Sequence, residues 1–414
     1  MEVLPLNAIV YNQNKINIKE VIAPPYDVID EDYRNDLYKR SEYNIVRLIL
    51  TKEQNRYEKA HEYFENWKEE KVLIHTQKPA IFYIIQRYTN EKGKLIERKG
   101  FIARNKIEDF STKNILPHEF TMGGPKEDRF KLISSTGAFF SQIFMVYNDK
   151  NFEIENKVFK KYSSKKPFID VVDDLGVQNI VYIIDEADDI KIVEETLSDK
   201  TLLIADGHHR YETSMKYAAC HPENEYAQYV MSYFTNASDE NLIIYPTHRI
   251  ITKDIEPNKI LEAVKKYYDI ETVDNKDDFL NKIEIENQKQ ITTGLILKND
   301  NNFYILKLKE NKEKLIDAPE VLQKLDLMVL HELILKKELN FTNEELMSQN
   351  GISYEKRENV AFNSIKNNAN AVFIMAYPKM KDIIDISQAG YRMPQKSTYF
   401  YPKLLSGIVI NPLI

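Results

Sequence analysis

Asp206-Gly207-His208-His209-Arg210 is the stretch of this chain whose residue types and order point most directly to chemistry. It follows the apolar run Leu202-Leu203-Ile204-Ala205 and opens a helix-like segment, Tyr211–Ala219. A strand that passes through a glycine turn into a helix start makes a cradle for anions. The first backbone N–H groups of a helix have no intrahelical acceptor, and the helix dipole is positive there. Gly207 permits the tight turn and close ligand approach, Arg210 supplies a planar fork of donors, and His208 and His209 add donors near neutral pH. Asp206 stands at the mouth, where it can hold a metal ion or take a hydroxyl proton. An ordinary helix start would use Asp206 as a cap but would need neither the paired histidines nor the arginine. Successive helical positions lie ~100° apart, so both imidazoles cannot face one core. Adjacent histidines ligate a single ion poorly, and the arginine favours an anion, so a tight zinc site is not expected.

Four other segments carry reactive groups. In His118-Glu119, followed by Lys126, Asp128 and Arg129, a carboxylate can serve as general base and the cations can clamp a phosphoryl group; a solvated charged loop would read the same way. Pro24-Pro25 makes an extended turn that can aim Tyr26 or Asp27 into a cleft, or simply precede a helix capped by Asp30. Lys396-Ser397-Thr398, with Tyr399, Phe400, Tyr401 and Lys403, can bind phosphate and stack a base, or form a C-terminal strand with a packed aromatic face. Pro246-Thr247-His248-Arg249 places a His-Arg pair just after a strand, in a supporting position. The sequence contains no Walker A, Gly-x-Gly-x-x-Gly or Gly-x-Ser-x-Gly motif.

The elements that must position these groups alternate along the chain. Tyr57, Ala60, Tyr63, Phe64 and Trp67 have helical spacing, and their aromatics are expected to face a core. Ala80–Tyr88 and Ile96–Ile107 flank Asn90-Glu91-Lys92-Gly93 as a hairpin. A glycine pair and a proline are expected to break Leu116–Tyr147 before a strand at Gln142–Tyr147. Strands at Ile180–Ile184, Leu202–Ala205, Tyr226–Phe234 and Leu242–Tyr245 alternate with helices near Ile190–Leu197 and from His208. Later come a helix at Asn258–Tyr268, a hairpin of Thr293–Lys298 with Phe303–Lys309, a helical Ala318–Leu339 and a strand at Ala371–Ala376. The pattern predicts an α/β or α+β fold with mixed sheets. With 414 residues, two domains are expected. One, at 1–250, carries the Asp-Gly-His-His-Arg phosphate site; the other, at 251–414, is α+β, with its C-terminal segment returning to the site.

Composition narrows the function. Hydrophobic residues make up 43%, enough for real cores, and the net charge is −7 with no long basic tract, which disfavours a primary nucleic-acid role. Cys220 is the only cysteine, so an intrachain disulfide and a multi-cysteine metal site are excluded. Met1-Glu2-Val3-Leu4-Pro5 is not a charged leader, and no run approaches the ~20 apolar residues of a membrane span. The expectation is a cytoplasmic protein; its oligomeric state is not legible.

Taken in order, Ala23–Ile29, His118-Glu119 with Pro125-Lys126 and Asp128-Arg129, Ala205–Arg210, Pro246–Arg249 and Met393–Lys403 resemble domain of unknown function 1015, a prokaryotic family sometimes labelled SpoOJ/ParB-like. Asp-Gly-His-His-Arg also resembles the phosphate signature of the ParB/sulfiredoxin superfamily and is spelled as in its free-serine kinases. That resemblance implies a ParB/sulfiredoxin-like nucleotide-binding core with an additional domain. It further implies ATP or ADP phosphates on Gly207, His208, His209 and Arg210, with Mg²⁺ and an acceptor hydroxyl at Asp206. The kinase resemblance covers only this short motif; from the chemistry of the other segments, Glu119 and Asp27 join Asp206 and His209 as catalytic candidates, and Arg129, Lys126, Lys396, Ser397 and Thr398 join the nucleotide site. The function implied is a kinase acting on a small hydroxylated metabolite, free serine first. The alternatives are a ParB-like nucleotide switch contacting DNA or protein, and a metal-assisted phosphohydrolase. Phe120 stands where the larger family is expected to carry an arginine.

Overall fold

Ile81–Thr89 and Leu95–Lys106 are largely buried on both faces, as expected of strands at the centre of a covered sheet. The two run antiparallel, Phe82 opposite Ile102 and Thr89 opposite Leu95. The computed structural model describes residues 1–91, 93–121, 123–394 and 396–413. Lys92, in the stretch expected to turn, lies outside them, as do Met122, Gln395 and Ile414. The chain forms two units. The first comprises Met1–Pro117, Thr121–Leu242 and Pro402–Ile414, and the second comprises His118–Phe120 and Ile243–Tyr401.

Among the described residues, the main sheet of the first unit has nine strands. Their order is Ile115–Pro117, Leu202–Asp206, Ile143–Tyr147, Tyr229–Asn236, Leu95–Lys106, Ile81–Thr89, Gln178–Ile184 and Ile169–Val172, with Val3–Leu4 paired to Leu95–Lys106. The sheet is mixed. Leu202–Asp206 runs parallel to Ile115–Pro117, and Tyr229–Asn236 runs parallel to Ile143–Tyr147. Leu202–Asp206 and Ile143–Tyr147 are antiparallel, and their register shifts between Ile204 and Asp206. Such a bulge re-aims the side chain that follows it, here Asp206.

Helix Arg56–Glu69 buries Ala60, Phe64 and Trp67, as their spacing predicts. The expected break after Leu116 is corrected: a helix spans Gly123–Thr136. Pro125 falls in its first turn, where a missing N–H removes no intrahelical bond, so glycine and proline here start a helix rather than prevent one.

The second unit is built on an antiparallel sheet. The strand order is Tyr268–Val273, Phe303–Leu308, Thr292–Leu297, Ala371–Ile374, His248–Ile251 and Ile352–Glu355. Period-two alternation sends Leu295, Leu297, Leu306, Ile251 and Phe373 into one core, and Ile296, Ile305, Ile250, Val372 and Ile374 into another. Helix Lys276–Glu286 packs so closely on the second face that a Cβ at Gly294 would meet Phe279 at 2.4 Å. The continuous helix expected over Ala318–Leu339 is broken once, at extended Leu325, into Glu320–Gln323 and a helix that runs from Asp326–Val329 directly into a π-helical Leu330–Glu338. Mixed and antiparallel sheets with covering helices make the fold α/β, as the sequence pattern predicts. No described helix is long and apolar enough to cross a membrane.

Candidate functional site

The predicted strand, turn and helix start form as Leu202–Asp206, Gly207 and His208–Cys220. Gly207, not Asp206, occupies the cap position, with φ 94°. This left-handed geometry is one that residues with a Cβ rarely adopt. The first intrahelical bond runs from the Tyr211 N–H to the Gly207 carbonyl at 2.9 Å, so the N–H groups of His208, His209 and Arg210 come ahead of the ladder.

Arg210 folds back over the turn. Its Nη2 donates to Asp206 Oδ2 at 2.6 Å, and its Nη1 donates to the carbonyl of buried Gln142. Lys403 Nζ holds the other carboxylate oxygen, Oδ1. Burial opposes ionisation of Asp206, yet Lys403 and Arg210 overcome it and hold the carboxyl well below the usual carboxylate range. Asp206 is thus the shared counter-ion of two cations. The expected metal role for Asp206 meets a physical obstacle, since both of its oxygens are engaged by positive charge. Among the described residues no group of three His, Cys, Asp or Glu side chains is placed to hold a metal ion.

Lys403 reaches Asp206 because its segment is pinned along its length. Arg98, fully buried, donates Nη2 to the Pro402 carbonyl at 2.6 Å and engages Gln86 Oε1. Gln142 Nε2 donates to the Leu405 carbonyl at 3.1 Å, and Ser141 meets Ser406 at 2.8 Å. Asn411 and Pro412 pair with Phe139 and Ala138.

The two histidines take different environments: His208 is buried and His209 partly exposed. Burial lowers the pKa of His209; Lys126 and Arg210 add to this, while Glu212 and Asp27 oppose it. Its imidazole is therefore a neutral proton acceptor near pH 7. Lys126 Nζ pairs with Glu212 Oε2 at 2.8 Å and donates to Thr121 Oγ1 at 3.2 Å. Exposed Asp27 lies in the turn Tyr26–Val28 that follows Pro24-Pro25. Arg129 spreads over the Tyr26 ring, 4.2 Å from its centroid, and binds Asp128 and the Ile49 carbonyl. It is thus engaged within the protein rather than held out as an open clamp. Tyr26, Arg129 and Arg210 line a cavity of ≈ 30 Å³, space on the scale of a water molecule.

Of the predicted cluster, His118 and Glu119 fall in the second unit and Lys126, Asp128 and Arg129 in the first; His118 and Glu119 meet instead the Lys396-Ser397-Thr398 segment. His118 Nε2 and Thr398 Oγ1 are 2.9 Å apart, and Thr398 Oγ1 donates to Glu119 Oε1 at 3.4 Å. Arg392 donates to the Glu119 carbonyl, and Met393 N–H to that of His118. Ser397 is buried, with its hydroxyl on the Pro394 carbonyl. Lys396 is exposed, with φ 56° and its carbonyl 3.2 Å from Arg249 Nη2.

Sequence reasoning placed Lys403 in a phosphate-binding segment without joining it to Asp206, and did not assign Glu212, Gln142 or Arg98 to a site. Lys403 lies in the same C-terminal segment as Lys396, and Glu212 falls three residues after His209 on one helix face; both signals are local. Gln142 and Arg98 carry none, since they act through backbone carbonyls of distant residues.

Among solved structures, the chain is similar to a conserved hypothetical protein from Pyrococcus furiosus, at 16% identity, 73% coverage of this chain, 93% of that chain and TM-score 0.35. It is also similar to a free serine kinase mutant in complex with ADP, at 16% identity, with 73% and 90% coverage and TM-score 0.36. A third is C-terminally truncated SbnI from Staphylococcus aureus, at 11% identity, with 75% and 87% coverage and TM-score 0.37. At these TM-scores the likenesses carry no functional argument. No curated protein matches the chain. The model of the family described as protein of unknown function (DUF1015) matches residues 3–328, and the chain belongs to that family.

Proposed function

We propose that the first unit is a nucleotide-dependent phosphotransferase that moves a phosphoryl group from ATP or ADP to the hydroxyl of a small metabolite, with free serine the first acceptor to test. One observation carries this reading. Arg210 and Lys403 converge on Asp206 at a helix start, next to the neutral imidazole of His209. Two cations share one carboxylate, and the positive helix end adds to them, which favours a polyanion. The spelling Asp-Gly-His-His-Arg, shared with free-serine kinases, supports the same reading.

In this reading the acceptor oxygen attacks the terminal phosphorus, the bond to the bridging oxygen breaks, and ADP or AMP leaves. The hydroxyl proton passes to His209, with Asp27 stabilising the imidazolium from within electrostatic range. Arg210 and Lys403 steady the charge on the transferring group. Magnesium would supply further charge neutralisation on the phosphates. Asp206 and Glu212 are each engaged by cations, so the donor set does not make a protein cage for Mg²⁺.

The test is phosphorus NMR of the full chain with ATP or ADP, Mg²⁺ and a panel of hydroxylated metabolites beginning with serine. The reading requires a new phosphoester with wild type that is lost in Arg210→Ala. A chain that binds neither nucleotide rejects it.

A further inference from the structure

A cavity of ≈ 260 Å³ lies within the second unit, distinct in its residues from the Asp206–Arg210 site. That is near the lower end of the roughly 300–1,000 Å³ typical of small-molecule sites. Its charged lining is Arg249, Lys289, Lys324 and Lys379 against Asp326 and Asp382. Leu325, Leu327, Ile291, Ile383, Met375 and Met393 supply apolar wall.

Arg249 is the unusual member. It is 1% exposed, and Asp326 and Glu119 favour its charge electrostatically, yet among the described residues no carboxylate lies within ion-pair distance of it. Its Nε donates to His331 Nε2 at 3.3 Å, its Nη1 to the Thr247 carbonyl and its Nη2 to the Lys396 carbonyl at 3.2 Å. These three partners are neutral. Burial holds the His331 imidazole well below its ordinary pKa, and burial with the Arg249 charge brings His248 down to about 4. A guanidinium has five N–H donors, so this arrangement engages three and leaves donor capacity on the two terminal nitrogens. A buried cation whose hydrogen bonds all go to neutral groups, with Asp326 and Glu119 acting on it only from beyond ion-pair distance, is costly to maintain, and a cavity beside it lets an anion supply a direct partner.

The rim reinforces the same sign. Lys379 donates to the Asn287 carbonyl, a neutral group, at 3.0 Å. Lys324 pairs with Glu320 on the exposed surface, where such pairs are weak and readily exchanged, and exposed Lys289 shares the partly buried Glu286 with Lys307. Burial raises the carboxyl pKa of both acids, Asp326 to about 6 against the opposing pull of Arg249, and Asp382 against that of Lys379.

We propose that this cavity is a binding site for a small anionic metabolite, whose carboxylate or phosphate group sits on the Arg249 guanidinium inside the lysine rim. The site is independent of the phosphotransfer reading and would stand if that reading failed.

The experiment is isothermal titration calorimetry of the full chain at low ionic strength with orthophosphate and, separately, succinate. Saturable binding of either probe is expected, and the tighter one identifies the anionic group. Arg249→Met, checked for folding by circular dichroism, is expected to raise Kd about tenfold or more, as loss of a charge-assisted fork should. Lys289→Ala/Lys379→Ala, on the exposed rim, is expected to raise it roughly threefold and to reduce its salt dependence. Should Arg249→Met fail to fold, the rim variant decides. Arg210→Ala serves as the control for the first unit and is expected to retain binding. The proposal is overturned if wild type binds neither probe, if Kd is unchanged in the folded variants, or if only Arg210→Ala abolishes binding.

Discussion

Gly207 and Arg210 are fitted to each other. A Cβ on Gly207 would stand 3.0 Å from both Cζ and Nη2 of Arg210, so the guanidinium occupies space that only glycine leaves open. The same glycine takes φ 94°, which turns the strand into the helix. The turn and the arginine's return to Asp206 therefore depend on one missing methyl group.

Gly207→Ala should destabilise the first unit by about 1–2 kcal/mol from the left-handed backbone alone. Displacement of Arg210 should add a loss of nucleotide binding beyond that expected from unfolding. Denaturant melts paired with calorimetric titration of ADP separate the two. Wild-type affinity in the folded variant would show that the Arg210 position does not matter for binding.

Asp206 and Lys403 should be strongly coupled. Removing either charge leaves the other partly buried, at 21% and 13% side-chain exposure, with one partner lost. Asp206→Asn or Lys403→Met should each cost about 2–4 kcal/mol, towards the low end for a fully buried pair because both groups retain some solvent. The double variant should cost clearly less than the sum, measured by a double-mutant cycle in urea. Additive losses would rule out a direct interaction.

The folded Asp206 carboxyl is depressed, so the sign of its pH dependence follows. The unfolded state takes up the proton first as pH falls, near the ordinary value of about 3.9. Its contribution to stability is therefore complete above that value and declines as pH falls below about 4 towards the folded pKa. Wild type and Asp206→Asn should differ most near neutrality and converge in acid, as read by thermal melts across pH 3–7. A gap that widens on acidification would contradict the assignment.

His209 has its imidazole lowered by burial, so the proposed phosphotransfer should be sustained at neutral pH and fall as acid protonates the ring, with an apparent pKa below the ordinary 6.5 or so. His209→Ala should remove that acid limb and reduce kcat by about 10²–10⁴-fold, the usual range for a general base. A variant that keeps the limb would transfer the proton role elsewhere.

Arg98 should act on the site without touching it, by holding the Pro402 carbonyl beside Lys403. Arg98→Met should increase amide hydrogen exchange through 402–413 and weaken the Asp206–Lys403 coupling, in addition to its cost as a lost buried hydrogen-bond network. Unchanged exchange there would make Arg98 a core residue with no hold on the segment.

The sequence determined a great deal locally. The apolar run before Asp206, the glycine after it and the helical spacing beyond all act over a few residues, so strand, turn and helix start were readable together. The hairpin Ile81–Thr89 with Leu95–Lys106 was equally legible, because its turn and both strands are contiguous. Gly123-Gly124-Pro125 was misread as a break because the same residues that stop a helix interior are acceptable in its first turn.

What only the tertiary structure decided is which charges meet. Asp206 and Lys403 are 197 residues apart, and Arg98 and Pro402 are 304 apart. Lys396 and Lys403 have the same chemistry and lie in one segment, yet Lys403 belongs to the first unit with Asp206 and Lys396 to the second. Pairing at such separations is set by sheet order and by backbone carbonyls that any residue can offer, so residue type alone does not encode it. The sequence therefore named the anion cradle, while the fold selected its counter-ions.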